Sequence, residues 1–321
     1  MRQAGRSLPE YRAIRKGVAM LDACLDPAVA SEITLQPVRR HHVDAAIFFS
    51  DIVVPLRLAG VDVDIAPGVG PVLGEPLHDR RDVERLLART RHLDSAALAP
   101  VSDGVARTVA ALGATPLIGF AGAPFTLAAY LVEGGPSRDH LGARRLMHAD
   151  PGAWTALTTW AADVTGTFLR AQVLAGASAV QLFDSWAGSL SLADYAGHVA
   201  GASARALSHV RDLGVPIVHF GTATGHLLEA MRDAGADVVG VDHRTPLDEA
   251  NRILGGRTPL QGNLDPALLA APWPVLERAV RDVVTRGASA PGHVLNLGHG
   301  VPPDTDPAVL TRVVELVHSL D

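Results

Sequence analysis

Short apolar runs that alternate with longer helical stretches are the feature that most constrains the fold of this chain. From residue 116 to the C-terminus, each apolar run is followed by a helical segment and then by another apolar run. Strands and helices in this order connect in parallel. Seven core strands are predicted, over residues 45–52, 116–121, 179–184, 216–220, 238–242, 260–264 and 294–298.

This alternation favours an α/β fold, a single (β/α)8 TIM-type barrel over residues 1–321, with an eighth strand that is irregular or not recognisable. A doubly wound open sheet also alternates, but a glycine-rich phosphate turn should follow its first strand, and the sequence has none. No linker indicates a second domain. A hairpin is predicted at 61–73, and single helices at 12–24, 151–175 and 192–213.

The composition narrows the class of protein. The chain is 48% hydrophobic and carries a net charge of −6, which argues against nucleic-acid binding. Residues 1–6 lack the apolar core of a signal peptide, and no apolar run approaches the roughly 18 residues that span a bilayer, so a cytoplasmic protein without membrane contact is expected. Cys24 is the only cysteine, which excludes an internal disulfide framework and cysteine-rich metal sites.

Asp51 is the first candidate for a functional residue. The run from Ala45 to Ile52 is apolar except for Ser50 and the Asp51 carboxylate near its end. In barrels of this type the chemistry lies at the C-terminal ends of the strands. The alternative is that Asp51 closes a turn or caps a helix, which is what most Asp residues after strands do.

Other polar residues follow the predicted strands or precede the first one. On a closed barrel they would converge on one mouth, where arginines suit a carboxylated ligand because the guanidinium pairs with carboxylates through two parallel hydrogen bonds. The histidines show no HxH or HExxH spacing, so no metal site is predicted. The converging candidates are Arg2, Gln3, Arg6, Tyr130, Asp184, Ser185, His219, Asp242, Asn263 and His299.

Five motifs resemble those of the uroporphyrinogen decarboxylase family. The resemblance implies a barrel, commonly a homodimer with facing clefts, that decarboxylates the four acetate side chains of uroporphyrinogen III to give coproporphyrinogen III without metal or organic cofactor. The motifs are Met-Arg-Gln-Ala-Gly-Arg at 1–6 with Leu-Pro-Glu-Tyr-Arg at 8–12, Phe-Ser-Asp-Ile at 49–52, Gly-Ala-Pro-Phe-Thr-Leu at 122–127, Gln-Gly-Asn-Leu-Asp-Pro at 261–266, and Asn-Leu-Gly-His-Gly at 296–300.

The resemblance also implies a set of site residues. Asp51 would accept hydrogen bonds from pyrrole N–H groups, with Arg6 and Tyr130 as further catalytic residues. Arginines would hold substrate carboxylates, and the remaining groups would position acetates and propionates. The substrate-binding residues implied are Arg2, Gln3, Arg6, Asp51, Tyr130, Ser185 and His299.

One departure and two rival functions remain. Members of this family usually carry residues ahead of the first motif, so the chain is expected to lack the usual N-terminal residues and to be poorly ordered or displaced over residues 1 to 8.

A cobalamin-linked methyltransferase of the same barrel superfamily would need zinc held by His and Cys, and Cys24 is expected to lie far from any strand end. A non-catalytic tetrapyrrole carrier would use the same residues as the enzyme.

Overall fold

The computed structural model describes residues 4–320, and within them seven parallel strands form one sheet. Their order along the sheet is β1, β4, β5, β6, β7, β8 and β9, and β2 pairs with β3 as a separate antiparallel hairpin, as predicted. The strands are β1 (Ala46–Ile47), β2 (Val63–Ala66), β3 (Gly70–Leu73), β4 (Leu117–Gly122), β5 (Ala179–Asp184), β6 (Ile217–Gly221), β7 (Val238–Gly240), β8 (Leu260–Leu264) and β9 (His293–Leu297).

Helices follow the core strands and cover the sheet. They are α1 (Pro9–Ile14), α2 (Met20–Leu25), α3 (Pro27–His41), α4 (Val54–Leu58), α5 (Arg80–Arg89), α6 (Ser95–Leu112), α7 (Pro124–Glu133), α8 (Leu141–Ala149), α9 (Pro151–Leu174), α10 (Leu192–His198), α11 (Ala200–Arg211), α12 (Leu228–Asp233), α13 (Leu247–Ile253), α14 (Trp273–Gly287) and α15 (Pro307–His318), with 3-10 turns at Ala4–Ser7, Ala187–Ser189 and Pro266–Ala270. None of the described helices is long and apolar enough to cross a bilayer.

Two of the predicted helices are divided in the structure. The stretch 12–24 is split between α1 and α2, because Gly17 adopts φ +77° in the turn that separates the two helices. The stretch 192–213 is split at Val199, whose φ of −128° is not helical. The predicted long helix at 151–175 is confirmed as α9.

The sheet is curled, and a hydrogen bond inside it shows the curvature. Gln261 Nε2 on β8 donates to Gln181 Oε1 on β5 at 3.2 Å. Two strands separate β5 from β8, and in a flat sheet that would place them about 14 Å apart at the usual strand spacing. Both side chains must therefore point into the concave face of a barrel-like sheet.

Three aromatic residues on adjacent strands pack on this concave face. Phe120, Phe183 and Phe220 lie on β4, β5 and β6, and their rings meet edge to face with centroids 5.2 and 5.8 Å apart. Phe183 is two residues after the inward-facing Gln181, and alternation along a strand places it on the same face. We call these three residues the phenylalanine wall; Ile47 and Ile52 pack against it.

The two edge strands, β1 and β9, are brought together by the segments beside them. His41, at the end of α3, has Nδ1 2.8 Å from Thr311 Oγ1 on α15. Arg12 on α1 donates to the carbonyl of Pro303 at 2.9 Å. Asp44 lies 3.1 Å from His318. We call this set of contacts the seam; no backbone ladder joins β1 to β9 within residues 4–320.

Residues 4–8, the described part of the chain before α1, have a defined place in the structure. Ala4–Ser7 form a 3-10 turn, and the side chains of Ser7 and Leu8 are buried. The expectation that residues up to 8 are displaced is therefore wrong for residues 5 to 8, because Leu8 is fully enclosed by the protein. Met1, Arg2 and Gln3 lie outside the described residues. The division into a single domain over residues 1–321 stays a prediction.

Candidate active site

Asp51 lies just beyond β1, where the chain turns into α4, and its side chain is half-buried. Its Oδ1 accepts a hydrogen bond from the backbone N–H of Val53 at 3.1 Å, which is the turn-closing role that the sequence left open. A carboxylate has about four acceptor positions, so this bond is compatible with a further role. The neighbouring Ile52 packs on the phenylalanine wall, which places Asp51 at the edge of the concave face.

Cys24 is a buried residue of α2. Burial is the main cause that raises the pKa of this thiol well above its usual range, and the negative charge of Asp51 raises it further. The helix α2 packs against α3, α6 and β2, and the expectation that Cys24 lies far from any strand end stays a prediction. A buried thiol of this kind stays protonated near neutral pH and is a poor nucleophile or metal ligand.

Tyr130 is part of a stack of three aromatic rings. It lies near the end of α7, which begins at Pro124 and ends against Gly134 in the left-handed conformation, as predicted. The Tyr130 ring is 3.9 Å from the ring of Trp186, and Trp186 is 4.4 Å from His140. Tyr130 is only 4% exposed, so its position is fixed by packing.

Ser185 follows β5 directly and opens onto a cavity of about 570 Å³. The backbone carbonyl of Ser185 accepts a hydrogen bond from the Thr222 hydroxyl, which ties the segment after β5 to the one after β6. We call this space the rim cavity. It is bounded by residues 137–141 with Arg144, by residues 185–186 and 188–189, and by residues 222–223.

The remaining site residues border the seam. Arg6 is half-buried in the first 3-10 turn, and His299 is exposed in the loop after β9. The hydrogen bond from Arg12 to Pro303 holds α1 against that same loop. In sheet order, Asp51, Tyr130 and Ser185 follow the neighbouring strands β1, β4 and β5, whereas His299 follows the opposite edge strand. Arg2 and Gln3 lie outside the described residues.

Two of the converging candidates face the helices and not the mouth. Asp184 and His219 are fully buried. Asp184 Oδ1 accepts a hydrogen bond from Thr126 on α7 at 2.9 Å, and His219 Nδ1 lies 3.3 Å from the carbonyl of Met231. The prediction that they share the cleft is wrong. Each is adjacent in sequence to an inward-facing phenylalanine, and because side chains alternate along a strand, each points to the other face.

Asp242 and Asn263 hold loops together. The Asp242 carboxylate accepts hydrogen bonds from the backbone N–H groups of Ala223 at 2.7 Å and Arg244 at 3.1 Å. Asn263 donates to the carbonyls of Asp242 at 2.8 Å and Thr245 at 2.6 Å. Both side chains are buried, and these partners are backbone groups of the loops after β6 and β7; the Arg244 guanidinium also donates to the Asp242 carboxylate. Asp242 and Asn263 therefore hold these loops in place at the barrel mouth.

One cluster in the described part of the chain has the composition of a metal site. His148, Asp194 and His198 offer ligand atoms that lie within 4.8 Å of one another, and His148 Nε2 is 3.5 Å from Asp194 Oδ1. Imidazole and carboxylate groups suit first-row divalent metals. Sequence spacing did not indicate this cluster because its members come from two helices, α8 and α10. It shares no residue with the strand-end group.

The phenylalanine wall, Trp186 and the two arginines of the rim cavity, Arg138 and Arg144, were missed by the sequence reasoning. Trp186 could have been found, since it follows Ser185 directly and a half-buried indole beside a strand end is a natural contact for an aromatic ligand. The arginines had no such signal, because the loop before α8 meets the end of β5 only through the tertiary fold.

A curled parallel sheet covered by helices, with polar residues after its strands, defines a TIM-type α/β barrel protein. Two solved structures share this fold over most of the chain. A methyltransferase from Methanosarcina mazei matches with a TM-score of 0.79 at 18% identity, covering 97% of this chain and 90% of that one. A putative vitamin-B12-independent methionine synthase from Listeria monocytogenes matches with a TM-score of 0.61 at 11% identity, covering 100% and 95%. At these identities the likeness shows the fold alone.

The family model described as uroporphyrinogen decarboxylase matches residues 1–320. Proteins named uroporphyrinogen decarboxylase are similar along the whole chain. The one from Arthrobacter sp. strain FB24 is 71% identical, covering 100% of this chain and 92% of its own length, and the one from Leifsonia xyli subsp. xyli is 68% identical, covering 99% and 89%. The chain belongs to the uroporphyrinogen decarboxylase family, which confirms the family and the TIM-type fold predicted from the sequence.

Proposed function

We propose that this protein is a carboxy-lyase that removes the four acetate carboxyl groups of uroporphyrinogen III to give coproporphyrinogen III in haem and tetrapyrrole biosynthesis. The observation that carries the proposal is the family match over residues 1–320, with relatives of that name at 71% and 68% identity. We propose further that no metal or organic cofactor takes part in the reaction.

The substrate can supply its own electron sink. A proton added to the pyrrole carbon next to the acetate-bearing position makes the ring cationic. The bond from the methylene carbon to the carboxylate then breaks, its electron pair moves into the ring, and carbon dioxide leaves. A second proton converts the methylene carbon to a methyl group and the first proton is released. The residues need only bind the substrate, stabilise the cation and supply the protons.

The proposed roles follow from the chemistry of each side chain. Ionised Asp51 accepts hydrogen bonds from the pyrrole N–H groups and stabilises the positive charge as it develops. Electrostatic stabilisation of this kind makes the largest contribution to the rate enhancement of many enzymes. Arg2 and Arg6 hold substrate carboxylates and assist proton delivery, and Gln3 binds the substrate beside them. The packed ring of Tyr130 gives a fixed surface beside Ser185.

Ser185 and His299 approach the substrate from different strands, the interior strand β5 and the edge strand β9. Ser185 follows β5 and His299 follows β9, so the two would position peripheral acetates and propionates on opposite sides of the macrocycle. The concave face between them carries the phenylalanine wall, whose apolar rings suit the faces of the pyrroles.

Two rival functions are less well supported. A zinc-dependent methyltransferase needs a thiolate ligand in the usual His and Cys set, and the single cysteine has a raised pKa and is enclosed by the protein. A tetrapyrrole carrier would bind the same ligand without turnover. We also expect a cytoplasmic homodimer with facing clefts, which sedimentation of the purified protein at several concentrations would test.

Incubation with uroporphyrinogen III, followed by oxidation and chromatography of the porphyrins, tests the proposal. We expect coproporphyrin as the end product and partly decarboxylated porphyrins at early times, with equal molar release of carbon dioxide for each acetate lost. Asp51→Asn serves as the matched control for non-enzymatic loss. Tight binding of the substrate without carbon dioxide release would instead identify a carrier.

A further inference from the structure

Two arginines of the rim cavity carry positive charge without a carboxylate partner. Within residues 4–320, no ion pair joins Arg138 or Arg144 to an acidic side chain, whereas the surface residues Arg80 and Arg205 pair with aspartates at 2.9 Å or less. Arg144 Nε is buried and has no hydrogen-bond partner in the described structure. A buried donor without a partner is costly, so this arrangement favours an acceptor that arrives with a ligand.

The charge of the cavity does not depend on its histidine. Ser189 Oγ donates to the carbonyl of Trp186 at 2.9 Å, so His140 Nδ1, 3.0 Å from the same oxygen, must be the donor to it. Burial is the main cause that lowers the pKa of His140, which is therefore neutral near pH 7. The residues that line the cavity include two guanidinium groups and one carboxylate, Asp139, so the lining has a positive surplus at neutral pH. Glu133, whose charge also acts on His140, lies outside this lining, and its Oε1 accepts a hydrogen bond from the backbone N–H of Ala143.

The cavity is continuous with the proposed active site. Ser185 and Trp186 line it, and the Trp186 ring stacks at 3.9 Å on Tyr130. A macrocycle held through its central N–H groups by Asp51 extends its carboxylated side chains outward, so those near Ser185 reach the cavity mouth. Guanidinium groups are suited to receive them, because their fork matches a carboxylate with two hydrogen bonds.

We propose that Arg138 and Arg144 form a subsite that binds peripheral carboxylates of the tetrapyrrole and raises the affinity for substrates with more of them. This inference rests on the proposed function of the same site. Both residues act on binding, because neither is among the groups proposed to contact the reacting pyrrole ring. A ligand that retains all its acetates therefore gains more from the cavity than one that has lost them.

The test compares Arg138→Gln and Arg144→Gln with Arg145→Gln. Arg145 is the exposed neighbour of Arg144 on the same helix and does not line the cavity, so it controls for the general loss of one positive charge. With uroporphyrinogen III, we expect each cavity variant to raise KM about tenfold, the usual effect of losing one charged hydrogen bond, with kcat within twofold of wild type. Arg145→Gln should leave both constants unchanged. Circular dichroism and Tm identify any variant that fails to fold. Because Arg138 is exposed, its substitution should not disturb folding.

A binding measurement separates failure of this inference from failure of the proposed function. Uroporphyrin and coproporphyrin, the oxidised and unreactive forms, are titrated against each variant by fluorescence. The cavity variants should lose more affinity for uroporphyrin than for coproporphyrin. Equal losses for both porphyrins, or the same KM in Arg138→Gln, Arg144→Gln and Arg145→Gln, would overturn the subsite even if the wild type is an active decarboxylase. An inactive wild type that still shows the selective loss would retain the subsite and reject the enzyme.

Discussion

The phenylalanine wall and the seam hold the two sides of the proposed site by different forces. The wall consists of buried rings in edge-to-face contact, and every residue of β6 is buried. The seam consists of a few hydrogen bonds, one of them an exposed contact between His318 and Asp44, and beside it Val294 of β9 is 53% exposed. Extensive apolar packing contributes far more to rigidity than exposed polar contacts do.

The proposed site residues are divided between these two regions. Tyr130 and Ser185 follow strands of the wall, whereas Asp51 and His299 follow the strands that border the seam. We therefore expect the residues that follow the wall strands to position the substrate. Asp51, beside the seam, should stabilise the positive charge that develops on the pyrrole ring. Changes in the two regions should then affect different kinetic constants.

Asp51→Asn should have the largest effect. An amide oxygen can still accept the hydrogen bond from Val53, so the fold should be kept, but the negative charge that stabilises the cationic ring is lost. We expect kcat to fall about 1000-fold. Ser185→Ala should mainly raise KM, by about tenfold. Steady-state kinetics on both variants would decide the comparison, and an Asp51→Asn enzyme with half the wild-type rate would remove Asp51 from the mechanism.

Phe220→Ala and Val294→Ala compare the stability of the two regions directly. Phe220 is 6% exposed and packs on Phe183, so truncation should cost about 3 kcal/mol or more of unfolding free energy through lost contacts and a cavity. Val294 on the seam edge is largely exposed, and its truncation should change the free energy by less than about 0.5 kcal/mol. Urea denaturation measures both. Equal losses would show that the wall is not the more rigid region.

The seam should weaken in acid because of His41. Burial, with a smaller contribution from Arg40, lowers the pKa of His41 to about 4. Below its unfolded value near 6.5, the unfolded chain binds a proton that the folded protein does not, so stability falls as pH drops from about 6.5 to about 4. We expect a loss of about 2 to 3 kcal/mol over that window, and no contribution from His41 above it.

The control for this pH effect lies one residue away. His41→Gln should flatten the dependence of unfolding free energy on pH between 4 and 6.5, while the exposed His42→Asn should leave it as in wild type. Asn is chosen for position 42 because the backbone there has φ +54°, which Asn tolerates. An unchanged slope in His41→Gln would contradict the assignment.

The smallest effect is expected from Cys24 and from metal removal. Cys24→Ala should cost about 1 kcal/mol of stability through lost packing, and the decarboxylation rate should stay within twofold of wild type. Dialysis against a chelator should also leave the rate unchanged. A rate that falls on dialysis and returns with zinc would point to the His148, Asp194 and His198 cluster as a functional metal site.

The hairpin, the place of Tyr130 and six of the seven core strands could be predicted because they depend on local signals, whereas the strand predicted at 45–52 covers only Ala46–Ile47. Apolar runs, turn residues and a proline followed by Gly134 specify these elements within a few residues of sequence. Helix boundaries near Gly17 and Val199 were missed, since one non-helical residue leaves the apolar pattern almost unchanged. Propensity is a weak guide at such points.

The direction of the strand-end side chains was predicted less well, although the sequence contains the information. Asp184 and Ser185 are adjacent, and a period of two means that only one of two neighbours can point into the barrel. Treating both as candidates ignored this constraint. The position of Arg144 in the lining of the rim cavity could not be predicted, because it depends on how the loop before α8 folds back onto the segment after β5.

The ring stack at the cavity mouth also provides an optical signal. Trp186 is one of four tryptophans, and it alone lines the rim cavity, where its indole lies between Tyr130 and His140. Because this indole is half-buried, a bound ligand would change both the water around it and its emission. Porphyrins absorb in the region where indole emits, so energy transfer to them should quench this residue. The native protein thus carries a fluorophore through which occupancy can be followed without any added label.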